Sequence, residues 1–258
     1  MTAIHPQAIV DSRAELAADV EVGPWTYIGP EVVIDSGTVI APHVVIRGPT
    51  RIGRNNRIFQ FASVGEDCQD KKYRGEPTRL EIGDNNVIRE SVTIHRGTVQ
   101  DESITSIGSG NLLMAYVHIA HDCRVGDNNI FANNASIAGH VKVAHDVILG
   151  GMTGVHQFCR IGPHSMSAMG SMVVMDVPAF VMVQGDTAKA HGMNFEGMRR
   201  RGFSAEAIRD LKNAYKVVYR QGLTLQEAIA QLETEPERGR ELQMFIDSLK
   251  ASTRGITR

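Results

Sequence analysis

The chain has no excess of either charge: 27 Lys and Arg stand against 29 Asp and Glu in 258 residues, a formal net charge of -2. Nucleic acids and anionic membranes are gripped through surplus positive charge, so neither is an expected partner, and any basic patch must be local. No apolar run approaches the roughly 18 residues of a membrane span. The opening MTAIHPQAIVDS lacks the charged and then apolar stretches of a secretory leader. A cytoplasmic protein without stable membrane insertion is expected. Cysteine is scarce: the three, Cys68, Cys123 and Cys159, form no C-x-x-C. That argues against a disulfide framework or a thiolate zinc site and leaves three small buried hydrophobes.

What the chain does have is a period. An aliphatic residue returns at every sixth position, at Ile4, Val10, Leu16, Val22, Ile28, Ile34, Ile40, Ile46, Ile52, Ile58 and Val64, often followed by a small or acidic residue. A helix repeats every 3.6 residues and a strand every 2, so a spacing of six is a short strand plus a turn. Each hexad then makes one side of a triangular prism. Three hexads make an 18-residue coil, whose aliphatic residues stack inward into a continuous core. The pattern lapses near 68–81 and returns in phase at Ile82, Ile88 and Ile94. It lapses again near 100–106, slips by one residue, resumes from Ile107 through Ile161 and fades near Ser167 and Val173. Both lapses read as loop insertions, the first replacing repeats without turning the prism.

Residues 1–190 are thus expected to form a β-solenoid of hexapeptide repeats, and 191–258 a C-terminal α-helical domain. Ser204 is placed to cap AEAIRDLKNAYKVVYRQ, with Gly222 just past its end. Thr224 and Glu227 form a capping box ahead of LQEAIAQLE, and Pro236 starts a last amphipathic segment carrying Leu242, Met244, Phe245, Ile246 and Leu249. These helices should cap the open end of the prism and take part in an oligomer contact.

Five of the ten histidines sit where coils of 18 can gather them: His118, His121, His140, His156 and, less directly, His164. Subtracting one coil at a time puts His121, Gly139 and Gln157 in one column, Asp122, His140 and Phe158 in the next, and Ala120, Ala138 and His156 on the other side. Imidazole titrates near neutrality and suits a general base, and a carboxylate from Asp122 or a neighbouring subunit would orient it. Two other readings stay open: exposed turn histidines without a role, and a zinc site using His121 and His140 of successive coils.

The strings IGDNNVIRESVTIHRGT (82–98), HIAHDCRVGDNN (118–129), NNASIAGHV (133–141), GGMTGVHQFCRIG (150–162) and NFEGMRRRGFS (194–204) resemble the UDP-N-acetylglucosamine O-acyltransferases of lipid A synthesis, and the resemblance runs end to end. It implies a left-handed parallel β-helix, a homotrimer with sites in subunit clefts, and no metal or diffusible cofactor. The implied reaction carries a 3-hydroxyacyl chain from the phosphopantetheine of acyl carrier protein to the 3-hydroxyl of UDP-N-acetylglucosamine. By resemblance His121 is the general base with Asp122 beside it, and the Gly139 N–H is the oxyanion donor. His118 and His140 hold substrate or shape the pocket, while Asp70 and Lys72 meet the sugar nucleotide. His156, Gln157, Asn194, Glu196 and Arg200 match nucleotide-binding positions, and Arg199 and Arg201 complete a basic rim that would attract the acidic carrier protein. Which arginine serves which partner stays open, as does the choice between UDP-N-acetylglucosamine and its 3-amino analogue. Met169 stands where relatives that accept longer chains have Gly. Its side chain, reaching about 5 Å, is expected to limit the donor to about ten carbons. A metal-dependent hydratase and a non-catalytic scaffold are the competing functions on such a prism.

Overall fold

The computed structural model describes residues 3–234 and 239–258. Short strands wind three to a coil, and within each sheet neighbouring strands are three apart in sequence, except at the end of the first sheet. The first face has 11 strands and starts at Ala3–Ile4, the second has 9 and starts at Ile9–Val10, and the third has 8 and starts at Glu15–Leu16. The first edge joins the first and second faces, the second edge joins the second and third, and the third edge closes the coil. All strand pairs in named sheets are parallel except the last. Hexad residues sit over one another, as in the stack of Ile119, Ile137, Val155 and Val173 on the second face.

The inward residues are β-branched or bulky and fill the prism: Ile28, Ile46, Ile94, Ile119 and Phe131 are each 0 % exposed. Burying such a side chain contributes roughly 1.5–3 kcal/mol, so the stack stabilises every coil that has a neighbour on both sides. The end coil has one neighbour only, and Ile4 remains 41 % exposed. Corners recur with a residue in the left-handed region, among them Tyr116, Asp122, Asn128, Asn134, His140 and Asp146. That conformation is easiest for Asn, Asp and His among side-chain-bearing residues, which supply nine of the 18 non-glycine positions that adopt it among the described residues. Inside the third edge a ladder of asparagines climbs the coils. Asn86 donates its N–H and Nδ2 to Asn56 Oδ1 at 2.9 and 3.0 Å, Asn111 does the same to Asn86 at 2.9 and 3.0 Å, and the Asn129 N–H reaches Asn111 Oδ1 at 2.8 Å.

The two insertions leave the prism at the same place. Arg57 pairs with Val87, 30 residues on, and Val87 with Leu112, 25 on, where an undisturbed coil such as Leu112 to Ile130 takes 18. The first loop therefore adds residues to its coil and does not replace repeats. Strand resumes at Arg79–Ile82, inside the stretch expected to be loop, and again at Ile104–Ile107, so the second loop starts and ends earlier than its hydrophobic pattern suggests. Both loops run from the second face to the third and stand over the second edge. The hexads also continue beyond their fading: Ser167 and Val173 remain inward at 2 % and 1 % exposure.

The prism ends where Val181–Gln184 pairs antiparallel with Lys189–Met193, a strand that crosses residue 190. Among the described residues four helices follow: α1 (Phe195–Arg200), α2 (Ala205–Arg220), α3 (Leu225–Glu233) and α4 (Arg240–Lys250). Ser204 caps α2 by accepting from the Ala207 N–H, and the capping box of Thr224 and Glu227 opens α3. Pro236, expected to start the last helix, lies outside the described residues. Asp176 ties the chain end back to the prism, its carboxylate accepting from Ser252 Oγ at 2.8 Å and the Thr253 N–H at 3.0 Å.

Candidate active site

Coil geometry puts the side chains of the second edge on one ridge, beneath two loops long enough to fold back over it. His121 and Asp122 occupy one corner, Gly139 and His140 the corner above, and His156 and Gln157 the next. A cleft of about 710 Å³ opens along this ridge and the adjoining second face, and it brings together Asp70, His118, His121, Gly139, His156 and Gln157.

His121 Nδ1 lies 2.8 Å from Asp122 Oδ2, and the Asp122 side chain is fully buried. Thr98 meets both oxygens of that carboxylate, its N–H at 2.8 Å from Oδ1 and its hydroxyl at 2.6 Å from Oδ2. Burial pushes the Asp122 carboxyl up, but the hydrogen bonds from His121 and Thr98 outweigh it and hold the group below its ordinary value. The carboxylate therefore accepts the Nδ1 proton, which leaves the lone pair on Nε2. Nε2 has no partner among the described residues. A Cβ built on Gly139 would fall 2.7 Å from it and 2.5 Å from Cε1, so only glycine lets the ring lie against this stretch of backbone. The Gly139 N–H likewise donates to no described residue. A ring nitrogen and an unspent backbone donor thus lie on adjacent corners of one edge.

The surrounding histidines are held by separate partners. His140 Nδ1 lies 3.0 Å from Asp101 Oδ2, and its ring is edge-on to His121 with centroids 5.1 Å apart and stacked on Phe158 at 4.5 Å. His118 Nδ1 lies 2.8 Å from Thr93 Oγ1. Burial and the neighbouring His121 lower its pKa. His95, edge-on to His118 at 5.0 Å, is pushed down to about 4, by burial first and His118 second. Both stay neutral near pH 7, so they shape the wall without adding charge. His121, Asp122 and His140 offer ligand atoms within 4.8 Å of one another, a spacing a metal ion could use. The carboxylate is already met by three hydrogen-bond donors, which suits a hydrogen-bonded dyad better than an inner-sphere ligand.

Other expected residues stand elsewhere in this chain. His164 is on the third edge, not the second: it packs edge-on to His145 and Phe203 and stacks on Phe180. Asn194 is buried as the N-cap of α1, accepting from the Gly197 N–H at 3.0 Å and donating to the His164 carbonyl at 3.1 Å. Glu196 pairs with Arg200 at 2.9 Å on the exposed face of α1, near Arg199. Arg201 is not free on a rim, because Asp146 takes it up at 3.3 Å and with its carbonyl at 3.1 Å, fastening α1 to the third edge. Lys72 is exposed and outside the cleft lining, although its N–H donates to Asp70 Oδ1 at 2.9 Å. Met169 stands on the first edge, 71 % exposed and outside the cleft of a single chain, while Met172 lines it.

Sequence reasoning missed His95, Thr93, Thr98 and Asp101. The second loop hides them from subtraction by 18, because Ile94 pairs with Ile119, 25 residues on. The one-residue slip in the hexads was the available signal.

Comparison with known proteins agrees with the fold. Residues 176–257 match the family model described as Udp N-acetylglucosamine O-acyltransferase, domain 2, and residues 13–48 and 104–139 match the bacterial transferase hexapeptide model of six repeats. The acyl-(acyl-carrier-protein)–UDP-N-acetylglucosamine O-acyltransferase of Stutzerimonas stutzeri is 62% identical over 258 residues, 100% of both chains. The solved structure of LpxA from Acinetobacter baumannii is 55% identical with a TM-score of 0.97, covering 99% of this chain and 100% of that one. The UDP-N-acetylglucosamine O-acyltransferase of Moraxella catarrhalis is 52% identical with a TM-score of 0.98, again over 99% and 100%. The expected left-handed parallel β-helix with a C-terminal helical domain stands.

Proposed function

Because the chain belongs to the UDP-N-acetylglucosamine O-acyltransferase family and is an acyltransferase, we propose that it moves a 3-hydroxyacyl chain of about ten carbons from acyl carrier protein to UDP-N-acetylglucosamine, the opening step of lipid A synthesis. The observation that carries the mechanism is the His121 ring, fixed through Nδ1 by buried Asp122 and lying against Gly139.

His121 Nε2 takes the proton of the glucosamine 3-hydroxyl as that oxygen attacks the thioester carbonyl. The resulting oxyanion accepts the Gly139 N–H, an interaction worth roughly 3 kcal/mol in comparable sites. Asp122 stabilises the imidazolium. When the tetrahedral intermediate collapses, the C–S bond breaks, the new ester remains on the sugar, and the pantetheine sulfur leaves with the proton that His121 held. No diffusible cofactor enters, since the thioester carries the activated acyl group.

The split of the site residues supports an assembly of identical chains. The base lies on the second edge, Met169 on the first, and Glu196, Arg199 and Arg200 beside the third, and no single prism folds those edges together. A cleft open along one face gains its other wall from a second copy, and we take the number as three from the family resemblance. In that arrangement Met169 of one chain closes the far end of an acyl groove, and the nucleotide residues reach a neighbour's histidines. No helix among the described residues is long and apolar enough to cross a membrane. A carrier protein and a nucleotide sugar as substrates put the reaction in the cytoplasm.

The test is acyl transfer to UDP-N-acetylglucosamine from a ladder of 3-hydroxyacyl carrier proteins. Wild type should prefer the ten-carbon donor, His121→Ala should be nearly inactive, and Met169→Gly should gain the longer chains. Equal use of the long donors by wild type removes the chain-length assignment, and full activity of His121→Ala removes the base. Transfer to the 3-amino sugar alone reassigns the acceptor.

A further inference from the structure

Asp122 can orient His121 only if the carboxylate is itself held, and the second loop supplies the hold. Thr98 is 1 % exposed and meets Oδ1 with its N–H and Oδ2 with its hydroxyl, at 2.8 and 2.6 Å. The Thr98 carbonyl in turn accepts the N–H groups of Asp101 and Ser103 at 3.3 and 3.1 Å, which closes the loop on itself. Thr105 Oγ1 accepts the Asp122 N–H at 2.8 Å, and Asp101 meets His140. The contacts of Thr98 and Asp101 come from the segment that lengthens this coil, and that of Thr105 from the strand Ile104–Ile107 that follows it.

We propose that Thr98 is a positioning residue for the acyl transfer: its hydroxyl locks the Asp122 carboxylate toward His121. Oδ2 has two candidate imidazoles, His121 Nδ1 at 2.8 Å and His140 Nε2 at 3.8 Å. With the hydroxyl removed, one neutral donor is lost from a buried charge and the carboxylate is free to swing toward His140. His121 then loses its fixed tautomer and its aim into the cleft. The insertion thus serves chemistry, through a side chain that touches no substrate. The inference rests on His121 as the general base.

The test compares Thr98→Val, which keeps the shape and drops the hydroxyl, with Thr98→Ser, which restores it. Thr98→Ala reads the same loss if valine packs poorly. For valine, kcat should fall about ten- to a hundredfold with KM nearly unchanged, and serine should recover most of it. The acid limb of the pH profile should also move to higher pH. Thr98 favours the ionised pair over its protonated form, so removing a donor raises the pair's affinity for a proton. The other titratable groups around the pair are His95, His118, His140, Asp101, Cys68 and Cys123. The Thr98 hydroxyl bonds none of them, so a shifted limb reports on the dyad. With His121→Ala inactive, a valine variant keeping wild-type kcat and acid limb, or a serine variant no better than valine, overturns the assignment of Thr98. An active His121→Ala instead removes the general-base reading beneath it.

Discussion

Gly139→Ala changes one hydrogen to a methyl and keeps the backbone donor, so it separates the placement of the His121 ring from the presence of the Gly139 N–H. The new Cβ would stand 2.5 Å from His121 Cε1, 2.7 Å from Nε2 and 3.1 Å from Nδ1. Ordinary carbon contacts are about 3.5–4.0 Å, so the ring must retreat by roughly 1 Å. It cannot retreat freely, because Nδ1 is bonded at 2.8 Å to a carboxylate that Thr98 fixes. A displacement of about 1 Å in a reacting group typically costs about a hundredfold in rate, equivalent to about 2.7 kcal/mol in the barrier. Gly139 is not among the positive-φ glycines, so alanine fits the backbone there and the fold should survive. The expected result is a kcat roughly a hundredfold lower, with a melting temperature changed by less than about 4 °C. Steady-state transfer to UDP-N-acetylglucosamine with a matched donor, together with a thermal melt, measures both. Activity within threefold of wild type would show that His121 does not work from this position. A collapse in melting temperature would show that the glycine serves the fold rather than the site.

Two further outcomes concern stability. Asn86→Ala removes the middle of the asparagine ladder and leaves the Asn111 N–H and Nδ2 without their acceptor. A loss of about 2 kcal/mol is expected, or roughly 5 °C in a thermal melt, with kcat unchanged; an unaltered melt would mean that the ladder adds nothing. His95 and His164 are each pushed down by burial to about 4 from 6.5. The unfolded chain therefore binds protons first, and the stability from these neutral histidines is complete above about pH 6.5 and lost as pH falls toward 4, by roughly 3 kcal/mol at each site. Melting temperature measured across that window should fall on acidification, and less steeply for His95→Gln or His164→Gln. A wild-type profile flat from pH 6.5 to 4 would contradict the burial argument.

Much of this molecule is determined by the sequence alone, because its order is local and repetitive. A six-residue spacing of Ile, Val and Leu can bury its aliphatic side chains only by coiling, and 18 residues per coil stacks His121 beside Gly139 and Asp122 beside His140 before any coordinates exist. The helix starts at Ser204 and Thr224 are equally local, since a cap needs only its own first turn. Only the tertiary structure decided what the insertions do. The loop residues Thr98 and Asp101 carry no periodic signal, and they reach the corner of His121, Asp122 and His140 because both loops leave at one edge. The same folding turned Arg201 and Asn194 inward, each satisfied by a partner on the third edge that no spacing brings to mind. It also spread the remaining site residues over three edges of one prism. Periodicity fixes the neighbours within a stack, whereas contacts between loop, helix and stack depend on where each one leaves the coil.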